Sequence, residues 1–144
     1  MTISTTTIKN SFAGNNSTSA FTYTFKISAE SEMQVIIRSS AGVETIKTLT
    51  THYTVSGVGN SGGGTVTFTS GNIPATGETV VLRRVTAQTQ TMDLIDNDPM
   101  SAETIETAHD KSIALIQELQ EQLNRSIKVS RTATITTPEI TDDA

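Results

Sequence analysis

Val80-Val81-Leu82-Arg83-Arg84-Val85-Thr86, then Asp93-Leu94-Ile95-Asp96-Asn97-Asp98-Pro99, is the stretch on which the reading of this chain turns. The first run is rich in β-branched residues, which fit a pleated, half-buried surface, and predicts a strand. On a strand Arg83 and Arg84 must point to opposite faces, so one reaches a carboxylate within the domain and the other is left for a subunit or partner. The second run is an acidic turn that hands the chain to one long amphipathic helix. A small β domain that passes into a helix with a self-pairing seam has the layout of an anchor or adaptor.

Upstream of this stretch the chain reads as a series of short strands. Thr5 to Ser11 leads into the turn-rich Ala13-Gly14-Asn15-Asn16-Ser17. Phe21, Tyr23, Phe25 and Ile27 alternate with Thr22, Thr24 and Lys26, the clearest period-2 pattern in the chain. Met33 to Arg38 and Val43 to Leu49 flank Ser39-Ser40-Ala41-Gly42 as a hairpin. Tyr53-Thr54-Val55 enters a glycine-rich loop and Thr65 to Thr69 leaves it. Pro74 to Glu78 turns the chain into the last strand. Such strands, with turn signals at roughly 8–12 residue spacing, predict a small antiparallel β-sandwich or barrel. The fold expected is mainly β with a C-terminal α-helix.

The helix begins near residue 100, capped by Asp98 with Pro99 at its first position, or by Ser101 one turn later. Glu103 and Glu106 near its start and Arg125, Lys128 and Arg131 near its end match the helix dipole. Ile105, His109, Ser112, Ile116, Leu119, Leu123 and Ser126 follow one another at spacings of four, three, four, three, four and three, a heptad register. Ile113, Leu115 and Ile127 widen the stripe, which allows part of the helix to pack on the β domain or a neighbour. The division expected is a β-rich domain over 1–92, a turn and oligomerisation helix over 93–131, and a linker or the start of a shaft over 132–144.

Composition agrees with an assembly that draws stability from partner subunits. Only 35% of the 144 residues are apolar and 4% aromatic, a thin core for one chain. The 27 Thr and 15 Ser favour β structure. A net charge of −5 opposes a phosphate-neutralising surface, so no nucleic-acid partner is expected. There is no cysteine for disulfides or thiolate metal sites, and no run of membrane-spanning length. The N-terminus has no secretory pattern, so the chain is read as soluble and made in the cytoplasm.

Motifs that could carry chemistry have plainer explanations. Gly57-Val58-Gly59-Asn60-Ser61-Gly62 spells G-x-G-x-x-G, but a strand follows it where a dinucleotide site needs a helix N-terminus. Asp93, Asp96 and Asp98 lack the glycine and bidentate glutamate of an EF-hand. His52 and His109 have no co-ligand at metal spacing. No nucleophile with a positioned base stands out, so neither an enzyme nor a cofactor is expected. The sequons at Asn15, Asn16 and Asn124 carry no weight without a secretory signal.

With Val80 to Thr86, the Asp93-Leu94-Ile95-Asp96 turn, Phe21-Thr22-Tyr23-Thr24-Phe25, Val35-Ile36-Ile37 and Thr51-His52-Tyr53-Thr54-Val55 in this order, residues 3 to 130 resemble a known family. It is the N-terminal virion-attachment domain of tail fibres and tailspikes of short-tailed bacteriophages, the Autographiviridae-type podoviruses. The resemblance implies a structural protein of the virion tail that forms a homotrimer and binds the tail adaptor and nozzle proteins, for host adsorption. With the heptad read above, a trimer would have its seam at Ile105, His109, Ser112, Ile116, Leu119 and Leu123, and Arg83 and Arg84 are the residues expected to contact the tail or a neighbouring subunit. Two alternatives stay open: the anchor of a longer fibre, or a short adaptor onto which a separate receptor-binding protein docks. A small receptor- or carbohydrate-binding β module is the other class of function, and it would require exposed aromatics.

Overall fold

Period-2 alternation decides which side chains build the core. Phe21, Tyr23, Phe25 and Ile27 are all buried, while Thr22 and Thr24 between them are exposed. The computed structural model describes residues 2–90, 92, 99, 101–128 and 131–132. Its strands are β1 (Lys9–Ala13), β2 (Ala20–Tyr23), β3 (Met33–Arg38), β4 (Glu44–Lys47), β5 (Tyr53–Ser56), β6 (Gly64–Phe68) and β7 (Thr79–Arg84), followed by the helix α1 (Ala102–Arg125). A single 3-10 turn at Glu30–Glu32 leads into β3.

The strands form two antiparallel sheets, one in the order β1-β7-β3-β4 and the other β2-β6-β5. They share one core, in which Met33, Val35 and Ile37 of β3 and Val80 and Leu82 of β7 meet Phe21, Tyr23, Tyr53, Val66 and Phe68 of the other sheet. The arrangement is a small β-sandwich. Each fully buried side chain of this kind contributes about 1.5–3 kcal/mol over its exposed state. Phe21 and Phe68 meet edge to face at 5.7 Å. The Tyr53 hydroxyl donates to the Met33 carbonyl at 2.8 Å and the Tyr23 hydroxyl to that of Ser56 at 2.7 Å, so both phenols are satisfied. Burial raises the pKa of each.

The glycine-rich loop is the β5–β6 hairpin connection, with no helix after it. Gly63 is required there twice over: its φ is +87°, and a Cβ would stand 2.0 Å from the Tyr23 carbonyl oxygen.

Several expected boundaries move. Residues Thr2 to Ile8 belong to no strand, although the Ile8 carbonyl accepts the Arg84 amide at 3.0 Å, and β1 starts only at Lys9. The strand expected over Phe21 to Ile27 keeps ladder pairing to Tyr23, although its alternation continues to Ile27. Val43 to Leu49 contracts to β4. The helix stops at Arg125, where the Ser126 amide and hydroxyl both turn back to the Leu123 carbonyl. The acidic turn at Asp93, Asp96 and Asp98 and most of 132–144 lie outside the described residues.

Candidate assembly surface on the C-terminal helix

Ser101 caps α1: its hydroxyl accepts the Thr104 amide at 3.1 Å, its own backbone is extended, and Glu103 and Arg125 stand in the first and last turns. At a rise of 1.5 Å per residue the 24-residue helix is about 36 Å long. Such a helix could lie against the sandwich on its apolar stripe. It does the reverse.

Contact is made by a polar stripe centred on Glu118. Arg84, at the end of β7, continues the inward parity of Val80 and Leu82, and its guanidinium is 1% exposed. Its Nε donates to Glu118 Oε1 at 3.0 Å, Nη1 to the Lys26 carbonyl at 3.2 Å, and Nη2 to Gln117 Oε1 at 2.8 Å and the Ala114 carbonyl at 3.3 Å. Glu118 also accepts the Thr86 hydroxyl at 2.6 Å and the Thr86 amide at 3.1 Å. A buried charge is tolerable only when paired and hydrogen-bonded, and this network meets that condition on both sides. No buried side-chain polar atom among the described residues lacks a partner.

About two turns earlier, Asp110 accepts Lys26 Nζ at 2.7 Å and the Ile3 amide at 3.0 Å. Burial pushes the Asp110 carboxyl up, but the Lys26 ammonium and the Ile3 amide outweigh it and hold the pKa below the ordinary carboxylate value. Gln117 Nε2 donates to the Thr5 carbonyl at 2.9 Å, tying the N-terminal segment to the helix. Glu121 pairs with Arg125 at 2.7 Å and with Lys9 at 3.4 Å, and its pKa is lowered chiefly by the Arg125 hydrogen bond.

At 100° per residue, Asp110, Ala114, Gln117, Glu118 and Glu121 lie on one face of α1, and Ile105, Ile116, Leu119 and Leu123 lie roughly 160° away. Latching the first face to the sandwich therefore turns the second outward. Ile116 is 61% exposed, Leu119 58% and Leu123 49%, with Ile105 and Ile113 also exposed. His109 and Ser112, the polar members of the heptad, lie exposed on the same outward face. The hydrophobics that broaden the stripe are not what docks the helix: Ile113 is exposed, Leu115 only half-buried, and Ile127 is 91% exposed beyond the helix end.

The two arginines part company. Arg84 reaches a carboxylate within the chain, that of Glu118, as expected for one of the pair; the half-buried Arg83 lies on the outer face of the sheet, opposite Lys9 and Gln34. Sequence reasoning missed Glu118, Asp110, Gln117 and Lys26. The available signal was Ala114 and the carboxylates at helical spacing on the side of α1 away from the heptad. Elsewhere His52 Nδ1 accepts the Thr48 amide at 2.9 Å within its own turn. Phe21, Tyr23, Phe25, Tyr53 and Phe68 are all buried, so none forms an exposed aromatic platform for sugar. Among the described residues no group of three or more His, Asp or Glu side chains could hold a metal, and no helix is long and apolar enough to cross a membrane.

No family profile matches the chain. A relationship to one curated protein is nevertheless clear: over 128 residues, 89% of this chain, it is 34% identical to the tail spike protein of Salmonella phage epsilon15. The chain spans 12% of that protein's length. It is a tail spike-related protein.

Proposed function

We propose that this chain is a structural protein of a bacteriophage tail whose outward helix face assembles three copies into the anchor of a tail fibre or spike. The observation that carries the reading is the orientation of α1, which its polar latch holds with Ile116, Leu119 and Leu123 turned to solvent. In a three-stranded bundle these residues would pack on the axis, and His109 and Ser112 would set register at some cost in stability. The three sandwiches would then stand around the bundle, each held by its own Arg84 and Glu118. The sequence relationship to a tail spike protein supports a place in the virion tail; the tail adaptor and nozzle proteins are the docking partners proposed for it. A structural role in attachment needs apolar contact and backbone pairing and no catalytic pocket.

The chain has no cysteine, so Ile116→Cys places a single thiol on the proposed seam. A tris-maleimide reagent should then link three chains. Linked pairs alone, or unlinked chains, would overturn the trimer. Antibody raised against the β domain should decorate the tail of the intact virion; decoration of the capsid alone would overturn the location.

A further inference from the structure

Lys9 and Arg83 stand directly opposite one another on β1 and β7, on the outer face of the four-stranded sheet. Like charges in that relation are destabilising. Lys9 is offset by Glu121, which reaches over from α1 at 3.4 Å. Glu121 is itself held by Arg125 through bonds of 2.7 and 2.8 Å. Arg83 gets no such help, and among the described residues it has neither a hydrogen-bond nor an ion-pair partner.

The guanidinium is also not simply out in water. Arg83 is half-buried in a groove of about 290 Å³ between the sheet's outer face and the last turns of α1, with Ile36 and Val81 in its floor. Ile46, opposite Ile36 on β4, extends this apolar floor and is 63% exposed. A local cost left unrelieved, where the buried side-chain polar atoms of the described residues are all satisfied, marks a place where something else binds.

We infer that this outer sheet face is a docking face for a protein segment presenting a carboxylate flanked by apolar side chains, with Arg83 as the carboxylate's receptor. The inference rests on the reading of the chain as an anchor that must hold a second protein. The planar guanidinium matches a carboxylate in two parallel hydrogen bonds. An acidic side chain would also relieve the repulsion from Lys9. The apolar floor selects a protein segment over a small anion, because a free anion gains nothing from Ile36, Val81 and Ile46, whereas a Leu or Val beside the carboxylate buries against them. Charge agrees: in a chain of net −5, this face collects Lys9, Arg38, Arg83 and Arg125 against Glu44 and Glu121.

The test is NMR titration of the isotope-labelled full chain with acetyl-Leu-Glu-Leu-amide, its Leu-Gln-Leu counterpart and inorganic phosphate. The glutamate peptide should shift the Arg83 Nε–H signal and the Ile36 and Val81 methyls together and saturably. The glutamine peptide should bind at least about tenfold more weakly, as expected for loss of a charged hydrogen-bond partner. Arg83→Gln should abolish the response while its Tm equals or exceeds that of the parent. Equal binding of the two peptides would overturn the carboxylate, and phosphate acting as strongly as the glutamate peptide would reduce the groove to a general anion site. A lowered Tm for Arg83→Gln would show a structural role instead. Arg83 lies off the seam, so Arg83→Gln should keep the parent's molar mass; failure of trimer assembly in the parent would count against the anchor reading separately.

Discussion

Arg84 Nε lies 3.0 Å from Glu118 Oε1, with the arginine side chain 1% and the glutamate side chain 9% exposed, and this contact links the last strand of the sandwich to the middle of the helix. It fixes more than stability. Because the latch occupies one face of α1, it determines which face is offered to other chains.

Removing one member of that pair leaves the other charge buried without its partner. Glu118→Ala should destabilise the fold by about 3–5 kcal/mol in urea unfolding. Arg84→Met should be comparably severe. In the double variant Glu118→Ala with Arg84→Met, the cost should fall short of the sum of the singles by about 1–3 kcal/mol. Additive costs would mean that the two side chains do not act as a unit.

Asp110 gives the latch a pH dependence whose sign is fixed. Its carboxyl has a pKa below the ordinary value of 3.8, so the unfolded chain takes up the proton more readily than the folded one. Its contribution is therefore present above about pH 4 and is lost as pH falls through the lowered folded value. Denaturation midpoints measured downward from pH 5 should decline less steeply for Asp110→Asn than for the parent. Parallel curves would remove Asp110 from the account.

Leu119→Asp places a charge at the centre of the outward stripe, where Leu119 is 58% exposed in the single chain. The substitution should abolish assembly and leave the sandwich folded, since the residue touches none of the core. Sedimentation and circular dichroism separate the two effects: loss of β signal together with dissociation would show that sandwich and helix do not fold independently of the seam.

Gly63→Ala should be severely destabilising, because the added Cβ meets a carbonyl oxygen at 2.0 Å and the backbone is left-handed. Gly59→Ala, also left-handed at φ +84° but with open space around it, should cost less. Equal thermal shifts for the two would show that the close approach to Tyr23 has no weight.

The sandwich was legible because its core residues obey a strict alternation that survives even where ladder pairing lapses, as at Phe25 and Ile27. The helix and its heptad face were legible for the same kind of reason, at a period of 3.6. The latch was not. Val80 and Leu82 fill one parity of the run Val80 to Thr86 and Val81 and Val85 the other, so nothing in it tells which arginine turns inward. Asp110, Glu118 and Glu121 resemble the solvated face of any amphipathic helix. Only the meeting in space of Arg84, Lys26 and Lys9 with those carboxylates shows that the polar side is the buried one.

The central claim is that the outward face of α1 joins three chains. Light scattering after size exclusion of the 1–144 chain tests it most directly. The account predicts a species of three times the 15.4 kDa chain mass, reduced to one chain by Leu119→Asp. A parent chain that elutes as a monomer at micromolar concentration, with the same mass as Leu119→Asp, would contradict it.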